Sequence, residues 1–120
     1  MGISSFEDLQ VYQKAYSVSL EVHRFSLEMP EKEQYNLARQ MRNASKSVCS
    51  NLAEGYAKSK ASAAEFKRHI QMALGSAEEM RVWIQYCFDL GYLERERKGQ
   101  WQASYQEIAR MLHGLYSSWS

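Results

Sequence analysis

The sequence is poor in residues that end helices and poor in cysteine. Its 120 residues contain one proline and six glycines, fewer turn formers than an all-β chain of this length needs. The two cysteines, Cys49 and Cys87, do not form a CxxC pair. If their helices are antiparallel, the helical rise places them about 25 Å apart, beyond the reach of a disulfide. We therefore expect long helices and free thiols, as in a reducing cytoplasm.

Long apolar runs are also missing. The first twenty residues carry Glu7, Asp8 and Lys14, which argues against a signal peptide, and no later segment is apolar for long enough to span a bilayer. With 45% apolar and 24% charged residues, the composition is that of an ordinary globular protein. The sequence thus predicts a single domain over residues 1–120, located in the cytoplasm and without a membrane partner.

Recognisable catalytic and metal-binding motifs are absent from the sequence. It has no Walker-type glycine loop, nucleophile elbow or zinc-ligand spacing. His23, His69 and His113 lie on three different predicted helices. Glu65 and His69 are four residues apart, whereas a di-iron bundle site uses the closer Glu-x-x-His spacing. We predict neither an enzyme nor a bound metal or cofactor.

Apolar residues recur at alternating steps of three and four in four segments, which is the period of amphipathic helices. The clearest series is Phe66, Ile70, Ala73, Ala77, Met80, Ile84 and Cys87. The predicted helices cover about residues 5–29, 31–58, 61–90 and 97–118. Because short connections join them, we predict an all-α fold, an antiparallel up-down-up-down four-helix bundle.

Local signals near the helix ends add detail to this prediction. Leu90-Gly91-Tyr92 is typical of a glycine C-cap followed by a chain reversal. Ser104 and Glu107 either form a capping box for the fourth helix or lie inside it. Gly75 costs about 1 kcal/mol relative to alanine inside a helix, so we expect close packing of a neighbouring helix there to compensate.

The first predicted helix carries two apolar stripes, whereas an ordinary amphipathic helix has one. The first stripe consists of Leu9, Tyr12, Tyr16, Leu20 and Leu27. The second stripe consists of Val11, Ala15, Val18, Val22 and Phe25. A helix with two stripes is contacted from two sides, and we predict that the second stripe forms an interface between copies of the chain.

Positive charge is concentrated in the middle of a chain whose formal net charge is only +1. The segment from Arg39 to Arg68 has seven basic and two acidic residues and carries a formal +5. The basic residues are Arg39, Arg42, Lys46, Lys58, Lys60, Lys67 and Arg68. In an oligomer this segment would be repeated and would attract a phosphate backbone. The alternatives are a solvated face, or charges that pair with acidic residues of a neighbouring subunit.

The end of the second predicted helix combines Asn51, Glu54 and Gly55. Asn51 falls at the edge of the core stripe, where a polar side chain must find hydrogen bonds or cost a few kcal/mol. Glu54 is four residues before Lys58, a spacing that favours an ion pair on a helix. A single carboxylate without a partner acid or base is weak evidence for catalysis, so we interpret this group as structural.

Several motifs extend over nearly the whole chain and are fairly specific in combination. They are Pro30-x-x-Glu33-x-Tyr35-x-Leu37, Gln40-Met41-Arg42-Asn43-Ala44, Asn51-Leu52-Ala53-Glu54-Gly55, Ala73-Leu74-Gly75-Ser76 and Leu90-Gly91-Tyr92-Leu93. With these motifs the chain resembles the bacterial four-helix-bundle proteins encoded by intervening sequences in 23S ribosomal RNA genes. That family includes the accessory variability determinants of diversity-generating retroelements. The resemblance implies a closed homo-oligomer, typically a pentamer, and associates the accessory proteins with nucleic acid and a reverse transcriptase.

Taken together, the sequence favours a non-enzymatic, homo-oligomeric bundle that binds RNA or DNA without sequence specificity through the Arg39–Arg68 segment. The alternative is a protein–protein interaction scaffold with no nucleic-acid role, which the near-neutral net charge favours. Exposed aromatic residues could stack on single-stranded bases, but at helical spacing they are more typical of a core or an interface.

Overall fold

The computed structural model describes residues 2–119 and contains four long helices. They are α1 (Gln10–Leu27), α2 (Leu37–Lys58), α3 (Ala63–Asp89) and α4 (Arg95–Ser118). Within these residues no pair of Cα atoms within 8 Å joins α1 to α3 or α2 to α4, whereas all other helix pairs pack together. The helices therefore occupy the corners of a square, and the predicted all-α four-helix bundle is confirmed.

Helix α1 begins five residues later than predicted, because a separate 3₁₀ turn precedes it. Ser5 and Asp8 form a reciprocal capping box that closes the turn Phe6–Asp8. Leu9 is then extended, with φ −71° and ψ 123°, and the α-helix starts at Gln10. A serine with an acidic residue three positions later is an N-terminal signal, and here it caps the short turn rather than the long helix.

Helix α2 begins at Leu37 rather than at residue 31. Pro30 does start a helical segment, but this is only the 3₁₀ turn Glu31–Glu33. Asn36, with φ −120° and ψ −105°, separates the turn from α2. The side-chain amide of Gln34 donates to the backbone oxygen of Ser26, in the last turn of α1, and to that of Met29, just beyond the helix. The connection is thus held by its own hydrogen bonds instead of continuing the helix.

The predicted glycine C-cap of α3 is confirmed. Gly91 has φ +84°, a left-handed conformation that side chains other than glycine rarely adopt. The backbone N–H of Tyr92 donates to the carbonyl of Cys87, and that of Gly91 donates to Phe88, which is the Schellman arrangement. Helix α4 follows from Arg95 and includes Ser104, so the capping-box alternative for Ser104 and Glu107 does not apply.

The core shows which of the two stripes of α1 faces the bundle. Val11, Ala15, Val18 and Val22 are at most 4% exposed, and Phe25 packs against the core beside Trp101. These five residues were predicted to form an interface between copies, and their placement inside one chain corrects that assignment. The outward side carries Tyr16, Leu20 and Leu27 of the first stripe, which are 49%, 36% and 58% exposed, whereas Leu9 of that stripe is buried and Tyr12 packs against the core.

Close helix packing occurs at Gly55 of α2 and not at Gly75 of α3. A Cβ atom at Gly55 would lie 2.5 Å from Cβ of His69 and 3.0 Å from Cδ1 of Phe66. A Cβ atom added at Gly75 would meet nothing within 4 Å, so the close packing of a neighbouring helix that was expected at Gly75 does not occur. Gly55 therefore sets the distance between α2 and α3.

None of the helices between residues 2 and 119 combines the length and the apolar character that crossing a membrane requires.

Exchange of Gly55 for alanine should destabilise the fold, because His69 Cβ is fixed to its backbone and can yield only if α3 moves. We expect Gly55→Ala to lower the free energy of unfolding by about 1–3 kcal/mol, as overpacking typically does. Gly75→Ala is the matched control and should raise it by up to about 1 kcal/mol through helix propensity. Urea denaturation followed by circular dichroism measures both. Equal effects of the two substitutions would contradict the packing argument.

Candidate functional site

Arg42 was predicted to belong to an exposed basic face, and the structure places it instead between α1 and α2. Its guanidinium donates to Ser26 Oγ (2.9 Å), to Gln34 Oε1 (3.2 Å) and to the backbone oxygen of Gln34 (2.8 Å). The side chain is only partly exposed. Arg42 thus connects α1, α2 and the segment between them, and most of its donors are used within the chain.

Lys58 and Arg68 also have partners inside the chain. Lys58 Nζ lies 3.7 Å from Glu54 and 3.8 Å from Glu65, so the ion pair predicted from the spacing of Glu54 and Lys58 is present. Arg68 donates two hydrogen bonds to Glu65, and its guanidinium lowers the pKa of that carboxyl. These pairs are exposed and local, so they reduce the charge available to a ligand more than they stabilise the fold.

The other four basic residues are less engaged. Arg39, Lys46 and Lys60 are exposed, and none of them forms an ion pair with any residue in the range 2–119. Lys67 Nζ lies 4.9 Å from the centre of the Tyr116 ring. Arg39 and Lys46 occupy α2, Lys60 lies in the turn before α3, and Lys67 lies on α3. The segment therefore does not present seven equivalent charges on one surface, and its binding of nucleic acid stays a prediction.

Asn51 belongs to a hydrogen-bonded chain that crosses the α2–α3 contact. Its amide donates to the backbone oxygen of Ser47 (2.9 Å) and to Ser47 Oγ (3.1 Å). Its carbonyl oxygen lies 3.0 Å from Nδ1 of the buried His69, and Ser76 Oγ donates to Ser47 Oγ at 2.9 Å. Because the Asn51 oxygen can only accept, Nδ1 of His69 carries the hydrogen. Asn51 is thus paired with α3 as its buried position requires.

His69 was considered in the sequence only as a metal ligand, and the structure places it in this hydrogen-bonded group. Its Nε2 lies 3.2 Å from Lys58 Nζ and accepts from the ammonium group, since Nδ1 is the donor. The imidazole fits here because Gly55 leaves room for Cβ and Cγ of His69. Each residue of the group Asn51, Glu54 and Gly55 takes part in the contact with α3. Asn51 pairs with His69, and Glu54 pairs with Lys58, which also lies near Glu65 and His69 of α3. Gly55 allows the two helices to approach closely. The signal for this contact that was available in the sequence was Gly55, a residue without a side chain, four positions after Asn51.

The buried thiols are poorly suited to nucleophilic chemistry. Cys49 and Cys87 are free and buried. Burial raises the pKa of Cys49 to about 11 and that of Cys87 to about 12, so both thiols stay protonated near neutral pH. Cys87 Sγ lies 3.2 Å from Met41 Sδ within the core. In the part of the chain that the structure describes, no three His, Cys, Asp or Glu side chains converge as a metal site would require.

A surface that we call the α1/α2 face has exposed apolar residues with cations beside them, and Glu21 and Glu28 line a depression together with Arg24. We define it by Tyr16, Leu20, Leu27, Arg24, Arg39 and Lys46. Tyr16, Leu20 and Lys46 line a groove of about 450 Å³ between the two helices. His23 lies in the same groove, and its buried Nδ1 has no hydrogen-bond partner in residues 2–119. Burial, followed by the charges of Lys46 and Arg42, lowers the pKa of His23, so its ring is neutral at pH 7.

A second surface, which we call the α3 face, has exposed apolar residues with carboxylates beside them, and Arg81 and Lys98 line the same depression as Val82, Tyr86 and Asp89. We define it by Val82, Tyr86, Leu90, Glu33, Glu79 and Asp89. The three apolar side chains are 51%, 54% and 54% exposed. Hydrogen bonds from Tyr92, Trp83 and Gln85 hold the three carboxylates, and no cation pairs with them among the residues described.

The geometry agrees with what comparisons with known proteins find. The sequence model of a family described as 23S rRNA-intervening sequence protein matches residues 7–114. A crystal structure of a protein with unknown function from the S23 ribosomal protein family of Bacteroides thetaiotaomicron has the same fold. It superposes with a TM-score of 0.80 at 19% sequence identity, over 90% of this chain and 96% of that one. No curated protein matches the chain.

Substitution of Arg42 should affect stability, whereas substitution of the two exposed cations of α2 should not. Arg42→Gln removes three hydrogen bonds from partly buried acceptors, and we expect it to lower the free energy of unfolding by about 1–3 kcal/mol. Arg39→Gln and Lys46→Gln are the matched controls and should change it by less than about 0.5 kcal/mol. Urea titration provides the comparison. If all three variants were equally stable, the bracing role of Arg42 would be wrong.

Proposed function

Because the chain belongs to the family of 23S rRNA-intervening sequence proteins, we propose that it is a non-enzymatic, homo-oligomeric interaction scaffold. Its copies assemble through exposed helix faces into a ring, with five copies as the favoured number. Further proteins bind to the assembled ring, and the reverse transcriptase implied by the family resemblance is one such partner. The function of the chain is then to assemble and to hold partners, not to transform a substrate.

The observation that carries this proposal is the apolar surface left over when the core is complete. One chain already buries Trp101, Tyr105, Phe66 and the second stripe of α1, so no further residue is needed to close the bundle. Nevertheless Tyr16, Leu20 and Leu27 stay exposed on α1, and Val82, Tyr86 and Leu90 stay exposed on α3. Groups of exposed large apolar residues with a polar rim are typical of protein–protein interfaces.

The buried thiols support the non-enzymatic part of the proposal. Cys49 and Cys87 are the strongest potential nucleophiles of the chain, and burial raises the pKa of both well above neutral. His69, the buried histidine, has both ring nitrogens occupied by Asn51 and Lys58, which leaves neither of them free to move a proton for a substrate.

Light scattering on a size-exclusion column tests the assembly. We expect the wild-type protein to elute as a species several times larger than one chain, and Leu20→Asp/Leu27→Asp to elute as smaller species. Both side chains are exposed, so this variant should still fold, whereas an aspartate at the buried Val18 would unfold the bundle. Ser17→Asp adds a charge to the same helix outside the stripe and serves as the control. A wild-type protein that is monomeric at all concentrations would refute the proposal.

A second candidate function is binding of RNA or DNA through phosphate contacts. It is supported by Arg39, Lys46 and Lys60, which are exposed and have no ion pair in residues 2–119. Repetition of these three cations around a ring would raise the local potential felt by a nucleic acid. Arg42, Lys58 and Arg68 contribute less, because each is already engaged inside the chain.

A mobility-shift titration at low and moderate salt separates the two functions. If nucleic acid binds, Arg39→Gln/Lys46→Gln/Lys60→Gln should weaken binding to unrelated sequences and make it less dependent on salt. On duplex DNA, each lost phosphate contact reduces by about 0.9 the steepness with which the logarithm of the binding constant falls with the logarithm of the salt concentration. Arg42 is kept in this variant because of its role in the fold. Absence of a shift at micromolar protein with RNA and with DNA would exclude the second candidate and leave the scaffold.

A further inference from the structure

We propose that the groove between α1 and α2 binds a small amphipathic carboxylate of the medium-chain fatty acid class. The charged end of the ligand lies at His23 and Lys46, and its apolar body lies along the aromatic side chains at the other end of the groove. This inference goes beyond the proposed scaffold, since it concerns a small molecule and requires no second copy of the chain. The volume of the groove, about 450 Å³, is within the range of small-molecule sites.

One wall of the groove is aromatic. Phe6, Tyr12 and Tyr16 follow one another along α1 and the turn before it, and their ring centres are 4.9 Å and 5.9 Å apart in succession. Leu20 continues this wall, and Ala53 of α2 also lines the groove. Such a surface gains free energy by covering the apolar body of a ligand, and the few polar groups beside it fix the orientation of that ligand.

The charged group of the groove has no counter-ion inside the chain. Lys46 forms no ion pair with any residue in the range 2–119, and none of the described residues that line the groove carries a carboxylate. The hydroxyls of Ser19 and Ser50 also line the groove, but each donates to a carbonyl of its own helix. The Lys46 ammonium group therefore favours a ligand with a single anionic group.

His23 supplies a second donor beside Lys46. Its Nδ1 is buried and has no hydrogen-bond partner within residues 2–119. A hydrogen on Nδ1 would be a buried donor without an acceptor, so the neutral ring carries its hydrogen on Nε2. His23 Nε2–H and the Lys46 ammonium group can then donate to the two oxygens of one carboxylate, and charge-assisted hydrogen bonds of this kind are among the stronger ones.

The length of the groove limits the length of the ligand. Lys46 and Ala53 are seven residues apart on α2, which corresponds to about 10 Å at the helical rise. Tyr12 and His23 are eleven residues apart on α1, which corresponds to about 16 Å. An extended decanoate reaches from the charged end to the aromatic wall, whereas acetate occupies the charged end only and covers no apolar surface.

Isothermal titration calorimetry with decanoate, at concentrations below its micelle formation, provides the test. We expect one decanoate per chain, and Lys46→Met should weaken its binding by about tenfold or more, because a charge-assisted contact is lost while an unbranched side chain still lines the groove. Lys60→Met removes an exposed lysine outside the groove and should leave the affinity unchanged. Decyltrimethylammonium has the same tail with a positive head group and should bind about tenfold more weakly than decanoate or less tightly still.

Nuclear magnetic resonance of the histidine rings locates the ligand. The charged groups that act on His23 are Lys46 and Arg42 of α2 and Arg24 of α1, which add to burial in lowering its pKa. A carboxylate beside the ring favours the imidazolium form, so decanoate should raise the pKa of His23. The ring signals of His113, which is exposed on α4 outside the groove, serve as the reference and should not move when decanoate is added.

Binding that depends on Lys46 and on the negative head group, together with the raised pKa of His23, would support the carboxylate site. Equal affinity for decanoate and decyltrimethylammonium, or unchanged affinity of Lys46→Met, would mean adhesion of a surfactant to an apolar surface and would overturn the proposal. Absence of decanoate binding by the wild-type protein would overturn it as well and leave the groove to a second copy. The scaffold would stand in each of these cases, since the size of the assembly tests it independently.

Discussion

The close approach of α2 and α3 at Gly55 is the constraint on which the rest of the structure depends. Because Gly55 has no side chain, Cβ of His69 lies closer to α2 than a side chain at this position would allow, and the imidazole reaches both Asn51 and Lys58. A wider separation would leave buried polar groups of Asn51 and His69 without partners, which costs free energy. One glycine thus permits a polar connection inside an otherwise apolar interface.

Arg42 shows how a basic residue at helical spacing can serve the fold. By sequence it lies on the same side of α2 as Arg39 and Lys46, yet its guanidinium binds Ser26 and Gln34 and joins α1 to the connection before α2. The available positive charge is consequently smaller and more dispersed than the count of seven residues implied. Of the exposed cations that are left, Lys46 lines a groove together with Leu20, and this arrangement suits a protein partner.

The two exposed faces relate the fold to the proposed function. A bundle whose core is complete has no internal need for the apolar residues exposed on α1 and α3, and groups of such residues are typical of surfaces that contact another protein. Charges of both signs lie beside these groups, with Arg24 near Glu21 and Glu28 at α1, and Asp89 near Arg81 and Lys98 at α3. Charge of this kind contributes to the choice and orientation of a partner, while the apolar centres contribute buried area.

The sequence by itself determined the features that depend on residues close together in the chain: four helices with three–four periodicity, the C-cap at Gly91, the Glu54–Lys58 pair and the family motifs. Tertiary structure alone decided which stripe of α1 is buried, that Gly55 rather than Gly75 is the close contact, and that Arg42 and His69 have partners on other helices. Periodicity and caps are encoded within about four residues. The direction that a stripe or a charge faces depends on where the other three helices lie, which no local spacing specifies.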